Sequence, residues 1–317
     1  MPKLSQSAPA IIIDNLSYHY PQFSSQNILK NIQLTIKKGS LFGLIGPNGA
    51  GKTTLISLLT GILEPVCGSI AVGGYSLPQA TKQAKQLIGY IPQDYAFYPN
   101  LTAFENLQFF AGMQGLLSSY KQARIEYCIE FCQLQKVSQQ KAAEFSGGLK
   151  RRLNIAIGLL ADPEILFFDE PTVSIDPQSR AFILRQIKAL HRQGKTIVYT
   201  SHYMEEVEQL CDYLAIIDHG QILKQGTLCS LQQEQQQHLI IDCEHVVDGD
   251  NLKQLKACFE LSINRSQLVF HNVADMATCN KITSQVLNMN IPVTRIFYGK
   301  NNLEKFFLDL TSKKLRD

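Results

Sequence analysis

Short apolar runs and helical repeats alternate over the first two thirds of the chain. Each apolar run stands next to turn residues, a pattern typical of buried strands. A helix is predicted from about Lys52 to Leu63, where Pro65 stops it. Strands that alternate with helices predict an α/β fold class. The predicted strands cover 10–13, 41–45, 164–168 and 196–200.

Residues 101 to about 138 carry a continuous helical signal. Thr102 and Glu105 have the spacing of a capping box, in which each side chain bonds the other residue's backbone N–H. Phe104, Leu107 and Ala111 then fall on one helix face. The pattern predicts a helical insert within the α/β core, at about residues 95–160.

A glutamine-rich stretch at 231–238 interrupts the pattern and predicts a linker or an exposed helix. We therefore predict a domain boundary after residue 231 and a small α+β appendage over 232–317. Three strand-like runs and a final helical repeat support the α+β class of the appendage. The runs are 239–242, 267–270 and 292–297, and the repeat consists of Leu303, Phe306, Phe307 and Leu310.

Composition narrows the class of protein. The 317 residues exceed one average domain, and 45% hydrophobic with 18% charged residues is typical of a globular chain. A net charge of +3 gives no concentrated basic face, so no nucleic-acid partner is expected. Eight cysteines without a CxxC pair argue against a zinc site. No run approaches the roughly 18 apolar residues that span a bilayer, so we expect a cytoplasmic chain.

Residues 46–53 read Gly-Pro-Asn-Gly-Ala-Gly-Lys-Thr and fit the pattern GxxxxGK[ST] between a predicted strand and a predicted helix. Glycines let backbone N–H groups turn toward phosphate oxygens at a helix N-terminus. Lys52 would reach the β and γ phosphates, and the Thr53 hydroxyl would bind Mg²⁺. A chance glycine turn is the alternative. The residues predicted to bind nucleotide are Gly46, Pro47, Asn48, Gly49, Ala50, Gly51, Lys52, Thr53 and Thr54.

Polar residues follow two of the predicted strands. Asp169 and Glu170 follow the run 164–168, at the strand end where α/β proteins bind ligands. Asp169 is suited to coordinate Mg²⁺, and Glu170 is suited to act as a general base. A helix-capping turn is the alternative for such a pair. His202 follows another strand, and it would contact the γ-phosphate and the attacking water or have a structural role. Gln93 could bond water at the metal.

Residues 144–152 read Glu-Phe-Ser-Gly-Gly-Leu-Lys-Arg-Arg and resemble the signature motif of the ATP-binding cassette (ABC) family. The motif precedes the acidic pair, as in that family. The resemblance covers roughly 11–226, and it implies a P-loop NTPase core with an antiparallel β subdomain and a helical insert. On this basis the nucleotide-binding domain is predicted over 10–231.

The resemblance also implies roles for single residues. Tyr20 matches the aromatic residue that stacks on adenine, and Gln93 matches the glutamine of the transporter-contacting loop, a catalytic and metal-site position. His202 matches the switch histidine, and Asp176 matches the aspartate of the loop after the acidic pair.

Ser146, Gly147 and Gly148 form the core of the signature. Ser146 can cap a helix whose first N–H groups face an anion. In family members this end faces ATP held by the other protomer. The resemblance therefore implies a head-to-tail dimer of two copies with two ATP molecules between them.

Four positions depart from the commoner family pattern: Phe145, Leu149, Ser174 and Ile175. Because the signature acts through backbone N–H groups and a serine, we expect these changes to adjust the rate of hydrolysis without abolishing it. The basic run at 150–152 is interpreted as a solvated or salt-bridged helix face, with a nucleic-acid role as the minor alternative.

The resemblance implies an ATP-hydrolysing subunit, with ATP and Mg²⁺ as cofactors, that drives a membrane transporter from the cytoplasmic face of the inner or plasma membrane. Its partners would be integral membrane permease subunits. Residues 303–311 and 315–317 resemble the end of ATPase subunits of exporters for drugs, lipids and polysaccharides, or form only a packing helix. The alternatives are a soluble ABC ATPase acting on ribosomes or DNA, and an ABC importer ATPase.

Overall fold

The computed structural model describes residues 9–21, 27–233, 237–247 and 249–300. The chain divides into two compact units, Met1–Leu228 and Cys229–Asp317. The boundary expected from the glutamine-rich stretch lies slightly further along the chain and stays a prediction.

Strands and helices alternate along the described chain. The strands are β1 Pro9–Tyr18, β2 Leu29–Lys37, β3 Leu41–Ile45, β4 Cys67–Val72, β5 Tyr75–Leu77, β6 Ile88–Ile91, β7 Ile165–Asp169, β8 Thr196–Ser201, β9 Tyr213–Asp218, β10 Gln221–Thr227, β11 Gln237–Cys243, β12 Leu261–Asn264, β13 Gln267–Phe270 and β14 Val293–Lys300. The helices are α1 Lys52–Leu59, α2 Thr81–Lys85, α3 Ala103–Met113, α4 Ser118–Phe131, α5 Gly147–Leu159, α6 Pro177–Arg192, α7 Met204–Leu210, α8 Leu228–Gln233, α9 Gly249–Cys258 and α10 Met276–Asn288.

A six-stranded sheet in the order β10-β9-β3-β8-β7-β6 forms the centre of the first unit. Its neighbours pair in parallel, except for the antiparallel pair β9 and β10. Every residue of β3, β7 and β8 is buried, as expected for strands covered on both faces. Because these strands are parallel, their carboxyl ends lie at one edge of the sheet, where α/β proteins place their ligands.

A second sheet in the order β2-β1-β4-β5 is entirely antiparallel. Alternate residues of β2 are buried, which gives the sheet one apolar face. That face shares a core with α1 and the central sheet, in which Ile11, Leu16, Leu55 and Phe167 are fully buried. The antiparallel β subdomain expected from the family resemblance is therefore confirmed.

Helices α3, α4 and α5 follow β6 and form the helical insert. The predicted capping box is present: Glu105 N donates to Thr102 Oγ1 at 3.1 Å, and Thr102 N donates to Glu105 Oε2 at 2.8 Å. Leu107 and Ala111 are fully buried, and Phe104 is half-buried. The apolar face predicted for this helix is confirmed.

Helix α1 ends at Leu59, so the prediction that it continues to Leu63 is wrong. Gly61 adopts a φ of +67°, a left-handed conformation that glycine tolerates. Ile62 N then donates to the Ser57 carbonyl at 2.8 Å. A glycine C-cap therefore stops the helix before Pro65.

The second unit follows the order β11-α9-β12-β13-α10-β14, and its sheet has the order β12-β13-β11-β14. All three strand pairs are antiparallel. This order of elements is that of the ferredoxin-like split βαβ fold. The α+β appendage is confirmed, with a core that includes Leu239, Leu268, Phe270 and Ile282. The helical repeat expected at 303–310 lies outside the described residues.

Within the part of the chain that the structure describes, no helix combines the length and apolar content needed to span a bilayer.

Candidate active site

The glycine-rich loop joins the carboxyl end of β3 to α1. Gly49 and Gly51 adopt φ values of +79° and +103°, where a side chain would be strained. A Cβ on Gly46 would lie only 2.9 Å from Ile217 Cγ2. Lys52 Nζ turns back over the loop and donates to the Gly46 carbonyl at 2.7 Å and the Pro47 carbonyl at 3.2 Å. The sequence therefore dictates a closed loop around the lysine.

Glu170 connects the glycine-rich loop to the histidine after β8. Its Oε1 lies 3.0 Å from Lys52 Nζ, and its Oε2 lies 3.2 Å from His202 Nδ1. The Lys52 and Glu170 side chains are 5% and 8% exposed, so their attraction is weakly screened by solvent. Glu170 has a φ of +45°, and its N–H donates to Thr200 Oγ1 at 2.9 Å. A strained backbone held by a buried hydroxyl aims this carboxylate into the site.

Asp169 is fully buried at the end of β7. Its Oδ1 accepts a hydrogen bond from Thr200 Oγ1 at 2.7 Å, while in the described ranges its buried Oδ2 has no hydrogen-bond partner. Burial raises the pKa of Asp169, and the Thr200 and Thr53 hydroxyls oppose that shift. Burial and the Asp169 charge also raise the pKa of Tyr90. An unpartnered carboxylate oxygen beside a threonine hydroxyl suits Mg²⁺, which prefers oxygen ligands.

An open cavity of about 430 Å³ lies over the loop and Glu170. Tyr20 stands at its side and shares a hydrogen bond with Thr54 Oγ1 at 3.2 Å. The chain thus brings residues 20 and 93 to a loop that is distant from both in sequence. The cavity is lined by Tyr20, Ile28, Asn48, Gly49, Gly51, Lys52, Thr53, Thr54, Gln93 and Glu170. Gly46, Pro47 and Ala50, also predicted to bind nucleotide, belong to the loop but are not among these lining residues.

The signature residues form a separate group that does not line this cavity. Ser146 caps α5, as predicted, and its Oγ accepts from Leu149 N at 3.4 Å. Asp176 caps α6 in the same way, through Ser179 N at 2.9 Å. This backbone hydrogen bond lowers the pKa of Asp176. A Cβ on Gly148 would lie 3.3 Å from Asp176 Oδ2, so the two helix N-termini meet closely.

Ser174 departs from the glycine that is usual in the family, and it adopts a φ of +59°. A non-glycine residue in the left-handed region costs about 1–3 kcal/mol. The loop before Asp176 therefore keeps a glycine-like conformation at the expense of strain.

The interpretation of the basic run 150–152 as a solvated or salt-bridged face is wrong for Arg151. Arg151 is only 3% exposed and donates to backbone carbonyls. The Arg152 guanidinium lies 3.9 Å from the ring centroid of Phe182. Arg152 is partly exposed and stacks on this ring, whereas Arg151 is buried against its carbonyl acceptors; a planar guanidinium favours both kinds of contact.

Glu206 on α7 is a buried carboxylate that sequence reasoning missed. Its Oε2 accepts hydrogen bonds from Tyr199 Oη at 2.5 Å, Thr172 Oγ1 at 2.8 Å and Ser201 Oγ at 3.0 Å. Its Oε1 lies 3.4 Å from Arg180 Nε. Burial, followed by the Glu206 charge, raises the pKa of Tyr199. The carboxylate thus joins the end of β8 to the loop after Glu170.

Glu206→Ala is expected to reduce the free energy of unfolding by about 2–4 kcal/mol, since three buried hydroxyls would lose their acceptor at about 1 kcal/mol each. Chemical denaturation of the purified protein measures this change. Glu205→Ala, an exposed neighbour on the same helix, is the control and should change stability by less than about 0.5 kcal/mol. Equal stability of the two variants would contradict the buried network.

Thr200 and Glu206 have faint signals in the sequence. Thr200 directly follows the apolar residues 197–199, and Glu206 lies between Glu205 and Val207 on α7. Neither pattern identifies a partner. Only the packing of β8 against β7 and α7 does so.

Comparisons with known proteins agree with this geometry. The sequence model described as "ABC transporter" matches residues 29–173. A second model, described as "AAA domain, putative AbiEii toxin, Type IV TA system", matches residues 139–208. The linearmycin resistance ATP-binding protein LnrL of Bacillus subtilis (strain 168) is 40% identical, over 93% of this chain and 97% of that protein. The Nod factor export ATP-binding protein I of Cupriavidus pinatubonensis is 35% identical, over 93% and 90%.

Solved structures share the fold over about 70% of this chain. A structure described as the ATP-binding subunit of an ABC transporter is 28% identical with a TM-score of 0.64, and the match covers 71% of this chain and 92% of that chain. The fold is also shared with the dimeric cassette MJ0796 bound to ADP and Pi, which is 23% identical with a TM-score of 0.63, over 69% and 98%. The sequence identity to these relatives extends over 93% of the chain, and the site described above agrees with it. The chain therefore belongs to the ATP-binding subunits of ABC transporters, a family of ATPases.

Proposed function

We propose that this chain powers an export transporter by binding ATP with Mg²⁺ and hydrolysing it at the cavity over the glycine-rich loop. The placement of Glu170 carries the catalytic part of the proposal, because its carboxylate contacts both Lys52 and His202 beside the cavity. The export direction is supported by the relatives, whose names refer to linearmycin resistance and Nod factor export.

In this proposal Glu170 accepts the proton of the attacking water as general base. His202, 3.2 Å from Glu170, holds that carboxylate and contacts the γ-phosphate. Lys52 exchanges its contact with Glu170 for the β and γ phosphates. The Tyr20 ring supports the adenine. A stacked base gains about 1–3 kcal/mol, so Tyr20 tunes affinity.

Three residues are proposed to hold Mg²⁺: Thr53, Asp169 and Gln93. The unpartnered Oδ2 of Asp169, within the described residues, supports this assignment. Mg²⁺ would neutralise the charge that develops on the transferred phosphoryl group. The protein's part is to orient these oxygen donors at the edge of the cavity.

We propose that two copies bind head to tail. Ser146, Gly147 and Gly148 lie at the N-terminus of α5 outside the cavity, and Asp176 lies beside them. A helix N-terminus with exposed N–H groups favours an anion. The phosphates of ATP held by the second copy would supply that anion, so each ATP would contact both copies.

We propose that integral membrane permease subunits bind a groove of about 660 Å³ between β6 and the helical insert, which would hold the chain at the cytoplasmic face of the membrane. The groove is lined in part by Tyr90, Tyr120 and Ile157. Met113 and Leu117, on the adjoining helical insert, are 72% and 78% exposed, and together with the exposed Tyr120 they form an apolar surface of the kind that a partner covers. Strand β6 leads from the groove directly to Gln93.

The domain limits are part of the same proposal: a nucleotide-binding domain over 10–231, with its helical subdomain at about 95–160, and an accessory domain over 232–317. The named relatives match 93% of the chain, so their similarity extends into the accessory domain.

A tagged Glu170→Gln protein, trapped with ATP and purified from detergent-solubilised membranes, tests the transporter function by mass spectrometry of its partners. We expect a polytopic membrane protein. Adding Leu117→Glu to the same bait should weaken that capture, whereas Lys82→Glu, an exposed change on α2, should not. Recovery of only ribosomal or DNA-bound proteins would favour the soluble ATPase instead.

A further inference from the structure

The segment that carries Gln93 is held by two side chains of the signature helix α5. Arg151 Nη1 donates to the Pro92 carbonyl at 2.8 Å, and Arg151 Nη2 donates to the Gln93 carbonyl at 2.7 Å. Asn154 Nδ2 donates to the Pro92 carbonyl at 3.0 Å and the Asp94 carbonyl at 3.3 Å. The segment thus receives four donors from two consecutive turns of one helix.

Asn154 also accepts a hydrogen bond from this segment. Ala96 N donates to Asn154 Oδ1 at 3.0 Å, so a single amide bonds the segment at both of its ends. Asn154 is 2% exposed and Arg151 is 3% exposed. Residues 93–96 are themselves exposed, so these hydrogen bonds from two buried side chains hold the segment against the helix. The backbone at Gln93 therefore has to follow α5.

A second contact leads from the same segment to the signature itself. Tyr95 Oη donates to the Gly147 carbonyl at 3.3 Å. The Arg151 guanidinium lies 5.1 Å from the centroid of the Tyr95 ring, within the range of a cation–π contact. The glutamine segment and the signature glycine are thus bonded directly as well as through the body of the helix.

We propose that Arg151 and Asn154 are positioning residues that couple the Gln93 side chain to the signature helix. The inference rests on the proposed function, in which Gln93 acts at the metal and the signature binds ATP of the second copy. When the signature residues bind the ATP of the second copy, α5 sets the position of Gln93 in the cavity of its own copy. Closure of one site thereby prepares hydrolysis at the other.

The chemistry of arginine makes this proposal specific. The planar guanidinium presents a fixed fork of donors that reaches two successive carbonyls, whereas a lysine ammonium is a single point charge on a flexible stem. Arg151→Lys keeps the charge and removes the fork. It should therefore loosen Gln93 more than it disturbs the packing of α5.

A double-mutant cycle of the full-length protein tests the coupling, through kcat and KM for ATP hydrolysis in Arg151→Lys, Gln93→Ala and the double variant. We expect Arg151→Lys to reduce kcat about tenfold with KM within about twofold of wild type, since an interaction that acts on turnover leaves binding unchanged. In the Gln93→Ala background the same change should reduce kcat less than about twofold, because the two residues act through one contact.

Arg185→Lys, an exposed change on α6, is the matched control and should leave kcat unchanged. Should Arg151→Lys not fold, Asn154→Ser gives the same cycle, because the shorter, uncharged side chain is expected to lose the hydrogen bonds to the Pro92 and Asp94 carbonyls. If Arg151→Lys reduces kcat about tenfold in the Gln93→Ala background as well, the two residues act independently. That result would overturn the coupling and leave the proposed function intact. If Gln93→Ala keeps the wild-type kcat, this result overturns both the coupling and the assignment of Gln93 to Mg²⁺, while the role of Glu170 in the proposed function stands.

Discussion

Glu170→Gln is expected to reduce the turnover number for ATP hydrolysis at least about a hundredfold, the usual contribution of a general base. The amide has nearly the volume of the carboxylate and still reaches the positions 3.0 Å from Lys52 and 3.2 Å from His202. The loop should therefore keep its shape and continue to bind ATP. Phosphate release by the purified protein measures turnover, and ATP-induced thermal stabilisation measures binding.

Glu205→Gln is the control for the loss of one negative charge in the same region, since Glu205 is exposed on α7. It should hydrolyse ATP at the wild-type rate. Unchanged hydrolysis in Glu170→Gln would refute Glu170 as the general base. A loss of both binding and turnover would instead assign Glu170 to shaping the loop through Lys52.

Lys52→Ala is expected to remove most of the ATP-induced stabilisation. Ligand at a hundredfold excess over its dissociation constant stabilises a protein by about 2.7 kcal/mol, and this gain disappears when affinity falls by a comparable factor. The physical reason is the position of Nζ, which is 5% exposed and lies at the glycine-rich loop. Thermal unfolding with and without ATP at equal protein concentration measures the effect.

Lys82→Ala, an exposed lysine on α2, is the control and should keep the full ATP-induced shift. The unfolding temperature without ATP must also be compared, because Lys52→Ala removes the cation that pairs with Glu170. An ATP-induced shift equal to that of wild type would contradict the assignment of Lys52 to the phosphates.

The local features of the fold were predictable from sequence because short-range physics sets them. A capping box needs only Thr102 and Glu105 three residues apart, and buried parallel strands are recognised as continuous apolar runs. The glycine-rich loop likewise depends on residues within one turn of each other. The predicted end of α1 at Leu63 is wrong because Gly61, which lies before Pro65, adopts a positive φ and ends the helix first.

The site depends on both levels of organisation. The family, the α/β order of elements and the residue types expected to bind phosphate can be read from the sequence, because they lie in contiguous motifs. Tertiary packing sets which distant groups meet: Thr200 with Asp169, Glu206 with three hydroxyls, and Arg151 with the carbonyls of the glutamine segment. From the sequence pattern, a basic run such as 150–152 is predicted to face solvent. The packing of α5 against the glutamine segment buries Arg151, and the buried guanidinium then bonds the carbonyls of that segment instead of water.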